Sequence, residues 1–216
     1  MSFRVHSFAV GPFQENTYLV ESTDREALFI DPGDEAARLI RAAESLAIRP
    51  LAIINTHAHL DHIGAVAELK DHFRIPFYLH RAEKPVLDSY EYTGRLFGVA
   101  VGATPRVDHW LDGAPELKIG SFTLNCLETP GHTPGGLCLK INRHVFVGDT
   151  LFYGSIGRTD LPGGSWEQLE ASLVYLLQSL DENDIVHSGH GPDTSRAAEM
   201  AGNPFIRQLR QRIDRH

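Results

Sequence analysis

The chain has 216 residues, 42% of them hydrophobic, and carries a formal net charge of −8. That length and apolar content suit one domain with a sizeable core, and we expect a single domain over 1–216. The acidic balance argues against a nucleic-acid surface, which needs clustered Lys and Arg to displace counterions. No apolar stretch approaches the roughly 18 residues needed to cross a bilayer, and the opening MSFRVHSFAV lacks the apolar centre of a secretion signal. The expectation is a cytoplasmic protein with neither membrane nor nucleic-acid partners.

Residues 17–31 (TYLVESTDREALFID) read as two short strands joined by a polar turn and closed by Asp31-Pro32-Gly33, with Asp31 stabilising that turn. DEAARLIRAAESLAI (34–48) follows as a helix with Asp34 as its N-cap. LAIINT (51–56) is an apolar strand that runs into HAHLDH (57–62), after which the chain turns into the helix IGAVAELKDHF (63–73). FTLNCLETPG (122–131) is a strand that ends just before His132, and residues 137–149 (LCLKINRHVFVGD) repeat the design of 17–31, closing on Gly148-Asp149. A patternless stretch, LFYGSIGRTDLPGG (151–164), leads to the helix SWEQLEASLVYLLQSL (165–180). There Ser165 and Gln168 match a capping box, and Leu169, Leu173, Leu176, Leu177 and Leu180 form the apolar stripe. DIVHSG (184–189) is a last strand that ends at His190. Two β-rich halves, each with a helix behind it, predict the α/β class and a four-layer αββα sandwich, since only that stacking buries every stripe.

Four apolar runs therefore stop where an imidazole or a carboxylate stands, at His57, His132, Asp149 and His190. Loops that follow strand ends gather at one edge of a layered fold, and sites form there. Neutral imidazole and carboxylate donors suit Zn²⁺ and, less selectively, Fe²⁺ or Mn²⁺. The one-residue spacing of His57 and His59 lets both rings grip one ion, while Asp61 and His62 point elsewhere as the helix begins. One short segment can thus serve two divalent ions, His132 and His190 can complete one shell each, and the two oxygens of Asp149 can bridge them.

HAHLDH, TPGHTPG (129–135), FVGDT (146–150) and SGHGP (188–192), in that order, resemble the metallo-β-lactamase superfamily over essentially the whole chain. Asp149 stands where many true β-lactamases use Cys, and the pattern is most similar to the hydroxyacylglutathione hydrolase (glyoxalase II) branch in its compact bacterial form. The resemblance implies His57, His59 and His132 on one metal, Asp61, His62 and His190 on the other, and Asp149 bridging. It further implies hydrolysis of a small-molecule thioester, such as the glutathione-derived S-lactoylglutathione, by a metal-bound hydroxide that Asp61 helps to orient. In the GRTD loop (157–160) Arg158 falls where that family contacts glutathione, and Tyr153 is a candidate pocket residue beside the site. Only 26 residues follow His190, fewer than the helical region with which longer glyoxalase II enzymes hold glutathione. The GRTD segment also resembles that of persulfide dioxygenases, which use a single iron on residues matching His57, His132 and Asp149 and would act on glutathione persulfide.

The remaining histidines, His6, His72, His80, His109, His144, His187 and His216, read as surface or hydrogen-bonded structural residues. Cys126 and Cys138 form no CxxC pair and read as small buried hydrophobes. Arg207, Arg210, Arg212 and Arg215 read as a solvated helix face. The chain holds no G-x-S-x-G elbow, P-loop or dinucleotide-binding glycine fingerprint, which removes serine-hydrolase and nucleotide-dependent chemistry.

Overall fold

The computed structural model describes residues 3–113 and 115–214, so Arg215 and His216 lie outside the described residues. The N-terminal half builds a six-stranded sheet from β1 (Phe3–Val10), β2 (Glu15–Ser22), β3 (Glu26–Ile30), β4 (Arg49–Ile54), β5 (Phe77–His80) and β6 (His109–Leu111), lying side by side in chain order. The first three strands are antiparallel neighbours, and from β3 onward the pairing is parallel. Parallel pairs need crossovers, and these are helical: α1 (Ala36–Ser45) after β3, α2 (Leu60–Ile63) and α3 (Val66–Phe73) after β4, α4 (Lys84–Asp88) and α5 (Tyr90–Phe97) after β5.

The C-terminal half builds the second sheet from β7 (Glu116–Ile119), β8 (Phe122–Glu128), β9 (Leu137–Ile141) and β10 (His144–Gly148). A hairpin of β11 (Leu151–Phe152) and β12 (Ser155–Ile156) leads to α6 (Trp166–Ser179), which crosses over to β13 (Ile185–Ser188), parallel to β10. Helices α7 (Arg196–Gly202) and α8 (Pro204–Ile213) close the described chain.

Strand alternation sorts the apolar residues into three cores, and these define the four layers. On β3, Leu28 and Ile30 face the second sheet together with Phe122, Leu124 and Phe146. Ala27 and Phe29 on the same strand face the helices, packing with Leu39, Val66 and Leu69. On β10, Val145 and Val147 point the other way, onto the leucine stripe of α6 and Ile206 and Leu209 of α8. The architecture is the expected αββα sandwich. All five leucines of the α6 stripe are buried, and each contributes roughly 1.5–3 kcal/mol by leaving water. Ser165 caps α6 by accepting from the Gln168 N–H, as its capping box predicts.

The α1 cap differs from expectation. Glu35, in a left-handed conformation at φ 53°, occupies the N-cap position, and the Asp34 carboxylate accepts from the Glu35 N–H one residue too early to cap the helix. Both cysteines are buried, and burial pushes each thiol up to about 12, so neither is a nucleophile. The polar face of α8 carries Arg207, Arg210 and Arg212, while Ile206, Leu209 and Ile213 are buried.

Candidate metal centre

The edge of the sandwich where β4, β8, β10 and β13 end collects seven side chains from four loop segments. His57, His59 and His132 place ligand atoms within 4.8 Å of one another, and so do Asp61, His62 and His190. In the first trio the rings stand edge-on, with centroids 4.9 Å (His57 to His59), 4.9 Å (His57 to His132) and 4.6 Å (His59 to His132) apart. In the second, Asp61 Oδ2 lies 3.3 Å from His190 Nε2 and 3.9 Å from His62 Nε2. Asp149 stands between them, with Oδ1 3.4 Å from His62 Nε2 and Oδ2 3.6 Å from Nε2 of both His132 and His190. It therefore reaches a ring of each trio.

Three of the imidazoles have their outer nitrogen fixed by a hydrogen bond, which aims the inner one at the centre. The Thr56 hydroxyl donates to Asp31 Oδ2 at 2.6 Å and lies 3.0 Å from His57 Nδ1, whose proton it can accept, leaving His57 Nε2 as a lone pair. His132 Nδ1 reaches the Arg158 carbonyl at 2.8 Å, and His62 Nδ1 reaches Asp31 Oδ2 at 3.1 Å. Buried His57 Nε2, His62 Nε2 and Asp149 Oδ1 have no hydrogen-bond partner among the described residues. Leaving such buried polar atoms unsatisfied costs roughly 1–3 kcal/mol each unless something binds them. A side chain at Gly189 would put its Cβ 2.3 Å from Asp149 Oδ1 and 2.7 Å from His62 Cε1, so the glycine keeps this space open. Inward-aimed, unpartnered nitrogen and carboxylate donors around a cleared space are what divalent cations require.

Electrostatics divide the centre. Burial drives His57 far below the ordinary imidazole value and His59 down to about 3, and lowers His132, with neighbouring imidazoles reinforcing the effect. That trio is neutral, the form in which imidazole binds metal. Burial also acts against a charge on His62, but Asp149, Asp31 and Asp61 outweigh it and raise that ring well above its usual value. His190 is raised by Asp61 and Asp149 against its own burial. The two carboxylates are lowered despite burial, Asp61 by His190 and Asp149 chiefly by His62. Positive charge is thus favoured beside Asp61 and Asp149, whether it comes from protons or from a cation.

Three buried acids escape a reading of the motifs. Asp31 does more than hold a turn. At φ 49° it directs Oδ1 to the Thr56 N–H at 2.7 Å and Oδ2 to the Thr56 hydroxyl and His62. Although it lies near His57 and His62, its oxygens are already committed to those partners, so it orients histidines and is not itself free to ligate. Its place in the internal repeat, matching Asp149, was the available signal. Glu83 accepts from the Ala58 N–H at 2.8 Å and the Gly135 N–H at 2.7 Å, joining the His57–His59 segment to the loop after His132. Glu15 is fully buried 3.7 Å from His62 Nδ1, and burial raises its carboxyl well above the usual range. Neither glutamate lies in a recognisable motif.

The remaining histidines serve elsewhere. His6 pairs with Glu21, His72 with Glu44 and His80 with Glu128, while His109 stacks on Tyr78. His187 bridges His144 and Asp193 and stacks on Phe146. The Arg158 guanidinium is exposed and bidentate on Asp160, at 2.6 and 2.7 Å. Tyr153 is exposed in the β11–β12 turn, beside Phe152, whose ring lies 6.0 Å from that of His190.

The model of the metallo-beta-lactamase superfamily matches residues 10–190. The chain belongs to that superfamily. It is 44% identical over 201 residues to the probable metallo-hydrolase YqgX of Bacillus subtilis, covering 91% of this chain and 94% of the relative. It is 37% identical over 201 residues to the hydroxyacylglutathione hydrolase GloC of Haemophilus influenzae, covering 91% and 95%. Among solved structures it superposes on the BLEG-1 B3 metallo-beta-lactamase with a TM-score of 0.88 at 42% identity, covering 95% of this chain and 99% of the other. It superposes on TTHA1623 in a di-iron-bound form with a TM-score of 0.84 at 40% identity, covering 93% and 100%. The protein is a metal-dependent hydrolase of this superfamily. Among the described residues no helix is long and apolar enough to cross a membrane.

Proposed function

We propose that the centre holds two divalent ions, Zn²⁺ first with Fe or Mn as alternatives, and hydrolyses a small-molecule thioester. His57, His59 and His132 would hold one ion, Asp61, His62 and His190 the other, and Asp149 both. The observation that carries the two-ion reading is that the Asp61 trio is as closely gathered as the all-histidine one, with Asp149 reaching a ring of each. The di-iron form of TTHA1623 supports the same stoichiometry. When bound, such ions supply Lewis acidity and a nucleophilic water at neutral pH.

The chain's own residues do the rest. Asp61, a member of the second trio kept ionised by His190, can orient the water and accept its proton. The water oxygen bonds to the acyl carbon and the C–S bond breaks with its electron pair going to sulfur; of the two water protons, one is released as the product carboxylate forms and the other ends on the departing sulfur, giving the thiol. A thiolate leaves readily, so no strong general acid is needed. The likeness to GloC makes S-lactoylglutathione the first substrate to assay. Substrate contact by Arg158 would require its guanidinium to leave Asp160.

The test pairs metal analysis of the purified protein with thioester hydrolysis and O₂ uptake. Two ions per chain with hydrolysis support the proposal. One iron with O₂ uptake on glutathione persulfide favours the dioxygenase reading, in which Asp61, His62 and His190 bind no metal.

A further inference from the structure

A groove of about 300 Å³ opens at His59 and runs between α4–α5 and the loop at 161–163. That volume lies at the lower end of small-ligand sites, which span roughly 300–1,000 Å³. Leu60, Val86, Tyr92, Leu96, Leu161 and Pro162 line it, and among its lining residues none is acidic, Lys or Arg. Leu96 is 68% exposed and Tyr92 63%, side chains that gain by being covered. The groove shares Ala58, His59 and Leu60 with the metal-ligand segment, so a group filling it lies beside the centre. A second, smaller cleft of about 150 Å³ on the Asp61 side carries Asp34, Asp61 and Glu68, which repel anions. Arg158, whose carbonyl holds His132, has its guanidinium neutralised by Asp160.

We propose that the groove is the acyl subsite of this centre and takes a hydrocarbon acyl chain. The assignment rests on the thioester reading above. Of the two halves of a thioester, only the acyl half can be wholly hydrocarbon. Biological thiols carry amides and charges, and these would lose their hydrogen bonds among Leu, Val and Pro side chains. The thiol half is therefore left to the open, solvated side of the centre, and the groove selects acyl chains by length.

The test uses metal-loaded protein and a series of linear acyl thioesters of one small uncharged thiol, from acetyl to octanoyl. Alongside it, direct binding of the matching S-alkyl thioethers, which cannot be hydrolysed, is measured calorimetrically. Both kcat/KM and affinity are expected to rise about fourfold per added methylene, the gain from burying one CH₂, until the groove is filled. Leu96→Asp, at an exposed position where folding tolerates it, and Val86→Trp, which fills the groove, should each cut the octanoyl-to-acetyl ratio at least tenfold. A flat chain-length profile in both assays, or a slope that neither variant changes, overturns the assignment. So does a dimer in solution that Leu96→Asp dissociates, because the groove would then be a contact between copies. If thioethers bind with the expected slope and no thioester is cleaved, the apolar subsite stands and the thioester reading fails.

Discussion

Asp31 and Asp149 occupy matching places in the two halves of the molecule. Each follows the second strand of an antiparallel pair, β2–β3 in one case and β9–β10 in the other. Each sits at a left-handed kink, at Asp31 itself with φ 49° and at Gly148 with φ 48°. Both reach the same imidazole from opposite sides: Asp31 Oδ2 is 3.1 Å from His62 Nδ1, and Asp149 Oδ1 is 3.4 Å from His62 Nε2. Their remaining partners differ. Asp31 binds the Thr56 N–H and hydroxyl and is closed. Asp149 keeps Oδ1 without a hydrogen bond and turns Oδ2 toward two further histidines. One design, used twice, thus yields an orienting carboxylate in one half and an open one in the other. What separates them is the number of donors already in place around each.

The largest expected effect comes from the open carboxylate. Asp149→Ala should reduce hydrolysis about 10³-fold or more, because it removes the open carboxylate that reaches a ring of each trio. Circular dichroism should show the fold intact, and a rate within tenfold of wild type would contradict the assignment. Asp61→Asn sharpens the role of the second trio, with an expected loss of about 10²-fold in kcat. Retention of more than about a tenth of the wild-type rate would count heavily against Asp61 acting on the nucleophile.

Asp31→Asn should act through the metal instead, weakening affinity by about 10–100-fold, so that excess metal restores much of the rate. Failure of added metal to rescue it would place Asp31 with Asp149, in direct contact with the chemistry. Glu83→Gln breaks one of two backbone hydrogen bonds between ligand loops and should cost roughly 1–3 kcal/mol, read as a lower midpoint in thermal unfolding. The smallest effect is expected at Arg158. Arg158→Ala leaves its carbonyl on His132 and removes only an exposed ion pair, worth at most about 1 kcal/mol. S-lactoylglutathione turnover should change less than about threefold, and a larger rise in KM would show that Arg158 releases Asp160 to bind substrate.

Much of this centre is legible in the sequence because its parts are local. HAHLDH is contiguous, and His132, Asp149 and His190 each follow an apolar run whose end fixes their place on the sheet edge. The layers were legible for the same reason, since period-two strands such as β3 and β10 declare both of their faces. What stayed hidden depends on contacts between distant segments. Asp31 looks like a turn residue until β4 is laid beside β3 and brings Thr56 to it. Glu83 sits between two loops 52 residues apart from it at one end and 25 at the other, a distance no local pattern reports. The α1 cap departs from the pattern because Asp34 carries the right side chain one residue too early, and the left-handed backbone at Glu35 sets the start instead.

The central claim is that both trios hold metal in the working enzyme. Its most direct test is titration of metal-stripped protein with Zn²⁺ while hydrolysis is followed. Activity is expected to rise to its plateau at two equivalents per chain, with Asp61→Asn binding only one tightly. A plateau at a single equivalent in both proteins would contradict it.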